Sequence, residues 1–398
     1  MRTQKPENPH IGFVHECQKI LSENILSFWN RKMVDPQGGF YGRIDGRGKL
    51  HEQADKSVIL NSRILWTYSA AYQVTGNPKH KMMAERAYEY LVKCFIDTRS
   101  GGVYWLLDYQ GRVLSDKKQI YAQAFAIYAF AEFHKINEYK RAKDHAIRIF
   151  ELIELHSFDQ KLNGYFEALD VNWQHLDDVR LSEKDMNATK TMNTHLHILE
   201  AYTNLYRIWP DEKLKVQLEN LITLMSTKFV TSEGHFKLFF DNNWKLLSDE
   251  ISFGHDIEGS WLLCEAAEVL KNESLSDKIN IVALEMVKAA LKGQDKDGGL
   301  MNEANPKGLT DTDKHWWPQA EALVGLVNAW QLTGDEDYLK TMKSVWLFTK
   351  TYLIDKEGEW HWKVTKDGHN DLQEDKAGPW KCPYHNGRAM IELITRLG

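Results

Sequence analysis

The sequence predicts an all-α fold, an (α/α)6 barrel of six inner and six outer helices with short β-hairpins at one end. Three observations lead there. A turn signal returns six times; each copy is preceded by an amphipathic helix and followed by an almost wholly apolar one; and no linker or low-complexity tract divides the 398 residues. The expected organisation is one domain over 1–398.

The turns begin at Asp35 (DPQGGFYG), Asp97 (DTRSGGVYW), Asp159 (DQKLNGYFEA), Thr231 (TSEGHFKLFF), Asp295 (DKDGGLMNE) and Asp355 (DKEGEWHW). Their spacing of about 60 to 70 residues marks one supersecondary unit per period. Most copies run into a second turn, such as IDGRGKL or DYQGRVL, where Gly or Asn between short aromatic-bearing runs signals a hairpin. The helix before each turn is one-sided. In MMAERAYEYLVKCF, Met83, Ala87, Leu91 and Cys94 share a face, with charges between them. The helices after the hairpins, such as YAQAFAIYAFAEF and QAEALVGLVNAW, are apolar nearly all round and read as buried on every side. Six such pairs bury their inner helices fully only if the row closes into a ring, so closure is favoured over an open solenoid.

Composition excludes several classes. The net charge of −6 is modest and mixed along the chain, with no footprint for nucleic acid or an anionic membrane. The N-terminal stretch MRTQKPENPHIGF lacks the apolar core of a signal peptide and no segment reaches spanning length, so a cytoplasmic protein is expected. Cys17, Cys94, Cys264 and Cys382 are scattered without Cys-x-x-Cys spacing and read as small buried residues. Fourteen tryptophans offer flat faces of the kind that sugars stack on, although large cores also use them.

In a closed ring the hairpins crowd one end, together with the first turns of the inner helices. Those turns carry Arg63; Tyr121 and Gln123; Asn193, His195 and His197; His255 and Glu258; His315, Trp316, Trp317, Gln319 and Glu321; Trp380, Tyr384, His385 and Arg388. Helix N-termini aimed at such a cavity suit a reaction that develops an anion. In SFGHDIEGSW (Ser252 to Trp261), His255 and Glu258 stand three apart, which places the carboxylate to orient the imidazole. His195 and His197 lie two apart, about 200° around a helix, so one faces the cavity and the other packs. No required metal is expected, since His-Glu-x-x-His is absent, and no cofactor, since neither a P-loop nor a dinucleotide fingerprint occurs.

The segments MNTHLH (Met192 to His197), SFGHDIE (Ser252 to Glu258), DKHWWPQAEAL (Asp313 to Leu323) and GPWKCPYHNGR (Gly378 to Arg388) are joined by NSRILW (Asn61 to Trp66) and YAQAFAIYA (Tyr121 to Ala129). Together they resemble the N-acylglucosamine 2-epimerase superfamily over nearly the whole chain, and within it the branch of the cellobiose 2-epimerases. The resemblance implies an (α/α)6 barrel that inverts C2 at the reducing-end glucose of a β-1,4-linked disaccharide. It implies His255 and His385 as the two acid/base residues and His197 as a third essential imidazole. Arg63, Tyr121, Asp185, Asn193, Glu258 and Glu321 would bind or orient the sugar, and Trp317 and Trp380 would stack on it.

The chemistry explains those residue types. Inverting C2 of an aldose needs ring opening, removal of the proton beside the C1 aldehyde, and return of a proton to the opposite face. Two groups titrating near neutrality must flank C2, which is histidine's range. Arg63 and His197 would stabilise the enediolate oxygens, and Glu258 would hold His255 in one tautomer. A small-molecule disaccharide is the expected partner, with the protein a monomer or weak homo-oligomer. Rival readings are an aldose-ketose isomerase, an epimerase of mannose/glucose or N-acetylated amino sugars, a glycoside hydrolase using Glu258 and Glu321, and a non-catalytic sugar-binding protein.

Overall fold

The computed structural model describes residues 8–398; residues 1–7, within the N-terminal stretch read for a leader, lie outside the described residues. Among the described residues the chain forms twelve helices, six inner and six outer. The inner helices are Val58–Thr75, Ile120–Asn137, Met192–Ile208, Phe253–Val269, Trp316–Thr333 and Tyr384–Leu397. The outer ones span 11–32, 78–95, Lys140–His156, 212–229, 273–293 and 336–353.

Each inner helix packs against the next, and the sixth packs back on the first, so the expected ring is closed. The helix at 11–32 lies against Tyr384–Leu397, which joins the two ends of the chain. Inner helices are buried almost throughout, whereas outer helices bury only one face. That difference is the apolar-all-round against one-sided pattern of the sequence. Among the described residues no helix is long and apolar enough to cross a membrane.

The starts and stops of the helices follow local chemistry. Asn77, Asp211, Asn272 and Asp335 cap outer helices with their side-chain oxygens. Ser57 and Thr191 do the same for inner ones. Gly76 and Gly334, both left-handed, end inner helices where a Cβ would be strained.

All six turns close as a residue pair: Val34 with Phe40, Ile96 with Val103, Phe158 with Tyr165, Val230 with Phe236, Gln294 with Leu300, and Ile354 with Trp360. The short strand before each of the first five inner helices pairs with the hairpin of the next repeat, as Lys118–Gln119 does with Ala168–Leu169. Ile44 then bridges to Ala377, so the hairpins too run round the full circle.

Two devices fasten the hairpins. A lysine just before the inner helix forms a buried ion pair with the aspartate that opens the turn: Lys56 with Asp35 at 2.5 Å, Lys118 with Asp97 at 2.6 Å, and Lys190 with Asp159 at 2.7 Å. Lys314 with Asp295 and Lys376 with Asp355 repeat the pattern. Side-chain clips are the second device. Gln123 exchanges two hydrogen bonds with the Val103 backbone, and Gln319 does the same with Leu300. In the fourth repeat Thr231 and Ile251 replace the ion pair, and Asp256 holds the hairpin instead. It accepts from Phe236 N at 2.7 Å and meets His235 Nδ1 at 2.6 Å.

A buried charge stripped of its partner is costly, so Asp97→Ala, which leaves the Lys118 ammonium alone, is expected to lower stability by about 3–5 kcal/mol. Breaking the exposed pair Lys340–Asp337 is expected to leave the unfolding transition in place. Urea unfolding of both variants checks this.

Candidate active site

A cavity of about 210 Å³ opens at the hairpin end of the ring. It gathers ten of the eleven residues expected there: Arg63, Tyr121, Asp185, Asn193 and His197, then His255, Glu258, Trp317, Trp380 and His385. Leu181, His315, Trp316 and Trp362 complete the wall. The Trp317 ring lies between two imidazoles, 4.8 Å from His255 and 5.6 Å from His385 by ring centroid. Tyr121 stands edge-on to His197 at 4.9 Å and to Trp380 at 6.2 Å. Arg63 donates to the Tyr121 hydroxyl at 2.7 Å, while its guanidinium lies over the Phe125 ring.

Glu321 departs from expectation. It sits behind the wall, where its carboxylate accepts from His385 Nδ1 at 2.6 Å, Arg388 Nη2 at 2.7 Å and Trp261 Nε1 at 3.1 Å. With those donors around it, it orients His385 and does not line the cavity. The pairing of His255 with Glu258 is also overturned. His255 Nδ1 meets Ser252 Oγ at 2.8 Å, and Glu258 is turned inward to Arg388 Nη2 at 2.6 Å. The spacing of three is met, but Nδ1 is already taken by the Ser252 hydroxyl and the carboxylate by the guanidinium. Of the other residues placed at the mouth, Gln123 and Gln319 are hairpin clips. His195 is packed as well, with Nδ1 on Thr191 O at 2.6 Å and Nε2 accepting from Tyr165 N at 2.9 Å. Burial pushes that imidazole down to about 3. So one of the His195/His197 pair packs and the other faces the cavity.

Sequence reasoning missed Glu200, whose Oε2 lies 2.9 Å from His197 Nδ1. A lone acid three residues past a histidine in an otherwise apolar helix was the available signal. Arg388 was noticed, but not its role. It donates to Glu200, Glu258 and Glu321, and the Tyr384 hydroxyl also donates to Glu200. Glu258, Glu321 and His385 are close enough together to hold a metal ion. Arg388 already supplies a positive charge to both carboxylates.

Three of the four cavity imidazoles share one arrangement. Each of the three has Nδ1 held by a partner behind the wall, Glu200 for His197, Ser252 for His255 and Glu321 for His385. That leaves Nε2 as the nitrogen free for chemistry. Burial, with His197 nearby, pulls His255 down to about 3. Burial, then Arg63 and Arg388, pulls His385 well below the ordinary value. Among the acids, Glu258 is raised to about 7 by burial and by Glu321, whereas Arg388 and His197 overcome burial to bring Glu200 down to about 2.

The chain matches the N-acylglucosamine 2-epimerase (GlcNAc 2-epimerase) family over residues 39–389 and belongs to that family. Within it, the chain is 51% identical over 383 residues to cellobiose 2-epimerase of Bacteroides fragilis, covering 95% of this chain and 98% of that one. Cellobiose 2-epimerase of Ruminococcus albus is 41% identical over 386 residues, 96% of this chain and 98% of its own. The structure of cellobiose 2-epimerase from Bacillus thermoamylovorans superposes with a TM-score of 0.93 at 40% identity, covering 97% of this chain and all of that one.

Two outcomes are expected. A Cβ on Gly254 would fall 2.4 Å from the Trp317 ring and 2.9 Å from Pro318 Cγ, so Gly254→Ala should displace that indole, raise KM for the sugar and lower the melting point. For Glu258, the unfolded carboxyl ionises near its ordinary value and the folded one near 7, so the folded state holds the extra proton between. Its contribution to stability therefore falls as pH rises from about 4.5 to about 7. Glu258→Gln should flatten that part of the curve, measured by urea titration across the window.

Proposed function

We infer that the chain inverts C2 of the reducing-end glucose in β-1,4-linked disaccharides, converting cellobiose to glucosyl-mannose and lactose to epilactose. Family membership and the cellobiose 2-epimerase relatives support the substrate class. The observation that carries the mechanism is that three of the four imidazoles in one cavity are anchored through Nδ1.

One of His255 and His385 takes the C2 proton through Nε2 and the other returns a proton to the opposite face, the roles exchanging in the reverse direction. In the open-chain aldehyde the electron pair left at C2 forms the C1=C2 bond as the carbonyl π pair moves onto the C1 oxygen, giving a cis-enediolate that Arg63 and His197 stabilise. C2 ends at the oxidation state it began with, so no hydride carrier is needed. Tyr121 positions Arg63 through their hydrogen bond, and Asp185 and Asn193 offer polar groups at the rim. Trp317 and Trp380 present faces for the sugar rings. Glu321 acts through His385, and Glu258 serves mainly to balance Arg388. The same reading makes the protein cytoplasmic, a single catalytic domain, and a monomer or weak homo-oligomer.

Incubation with cellobiose in heavy water, followed by NMR, should place deuterium at C2 of a mannose-configured product. A ketose product would favour isomerisation, and released glucose would favour hydrolysis. His255→Ala and His385→Ala should each lose C2 exchange by a factor of about 10² or more while melting as the parent does. Near-normal turnover in either variant defeats the assignment.

A further inference from the structure

Ser252 occupies the residue before the fourth inner helix, where a hydroxyl ordinarily caps the helix by accepting from a first-turn N–H. The equivalent residues of the first and third inner helices do so: Ser57 Oγ accepts from Leu60 N at 3.1 Å, and Thr191 Oγ1 from Thr194 N at 3.2 Å. Ser252 makes no such bond. Its Oγ turns to the His255 ring instead, 2.8 Å from Nδ1. A good capping group has been drawn away from the backbone to serve an imidazole.

We propose that Ser252 is a positioning residue for the epimerisation, accepting from His255 Nδ1–H so that Nε2 faces the cavity as an unprotonated base. The inference rests on the acid/base reading of His255. The partner's chemistry matters as much as its position. Glu200 and Glu321 are carboxylates and favour a charged imidazole, whereas a neutral hydroxyl, able to accept from Nδ1–H or donate to Nδ1, holds the ring in place without stabilising the imidazolium. His255 is thereby supported differently from His385, which faces it around Trp317.

The charged surroundings of His255 lie on two sides. In the catalytic cavity the ionisable groups are Arg63, Asp185, His197, Glu258, His315 and His385. A second cavity of about 600 Å³ adjoins the first, sharing Leu181, Asp185, Asn193 and His255 with it, and Ser252 lies on its wall. There the ionisable groups are Glu167, Arg180, Lys184, Glu250 and Glu303. None of these takes the place of Ser252 at Nδ1, so the hydroxyl is what holds that nitrogen away from the cavity.

The test compares Ser252→Ala, Ser252→Thr, Ser252→Asp and His255→Ala by NMR-monitored epimerisation of cellobiose, with pH profiles and melting curves. Losing the Nδ1 acceptor should cut kcat about tenfold with KM little changed. The melting point should hold, because no cap is lost. Threonine keeps the hydroxyl and should restore turnover. Aspartate is a good N-cap and brings a carboxylate to Nδ1, which raises the imidazole's proton affinity; the acidic limb of kcat/KM should move about one unit to higher pH. The proposal is overturned if His255→Ala is inactive while Ser252→Ala keeps parental kcat, or if the aspartate variant's acidic limb does not move. Turnover surviving in His255→Ala would instead defeat the underlying assignment of His255, and the proposal with it.

Discussion

The three acids that stand in and behind the site are arranged around one buried cation. Arg388 on the sixth inner helix reaches Glu200 on the third, Glu258 on the fourth and Glu321 on the fifth. Three carboxylates in a shared low-dielectric space cannot all ionise without a counter-charge, and one guanidinium with a fixed fork of donors is suited to meeting several at once. Two of those acids in turn hold His197 and His385. The orientation of two cavity imidazoles therefore depends on the last helix returning to the ring. Closure is a condition of the chemistry as well as of the fold.

The ring was legible because its signals are local. Turn residues, a one-sided outer helix and an apolar inner helix are each written in a dozen or so consecutive residues, and six copies make the pattern hard to miss. The cavity was legible for a related reason: an inner helix that is apolar nearly all round has no place for Arg63, His197 or His385 except at its end. Partner choice was not legible. His197–Glu200 and His255–Glu258 have identical spacing, yet one pair bonds and the other does not. Arg388 does not separate them, since it donates to Glu200 and to Glu258 alike; what differs is that the Ser252 hydroxyl takes His255 Nδ1, while Glu258 turns to a guanidinium 130 residues away that no local reading of SFGHDIE contains. Glu321 was drawn into the cavity for the same reason, since the sequence does not tell whether an acid near a helix start faces substrate or stands behind a histidine.

The clips illustrate the opposite error. Gln123, His195 and Gln319 are polar residues in the first turn of an apolar helix, which is the signature used to find cavity residues. Each is instead satisfied by the backbone of a hairpin one turn away. A hairpin packed under a helix end leaves an N–H and a C=O facing a dry interior, and these must be paired. The fold thus creates a need for polar side chains at the very level where the reaction needs them. Only the helix face separates the two uses, and at that end of the barrel a shift of two residues moves a side chain from one to the other.

This division bears on rigidity. His197 stands on a helix whose first turn is pinned by the His195 clip, the buried Lys190–Asp159 pair and strand pairing to the next repeat, and His385 on one tied down where Lys381 and Asn386 donate to Glu359. A proton transfer that must reach both faces of one carbon tolerates little error in where its two bases stand, and side chains on braced helices hold position better than side chains on loops. The fourth repeat, which bears His255, lacks the lysine–aspartate fastener and relies on Asp256, the next residue along, to hold its hairpin. Brace and base are thus adjacent on one helical turn, facing opposite ways. Whatever loosens that hairpin must also move His255, so at this repeat the stability of the hairpin and the placement of the base are a single property.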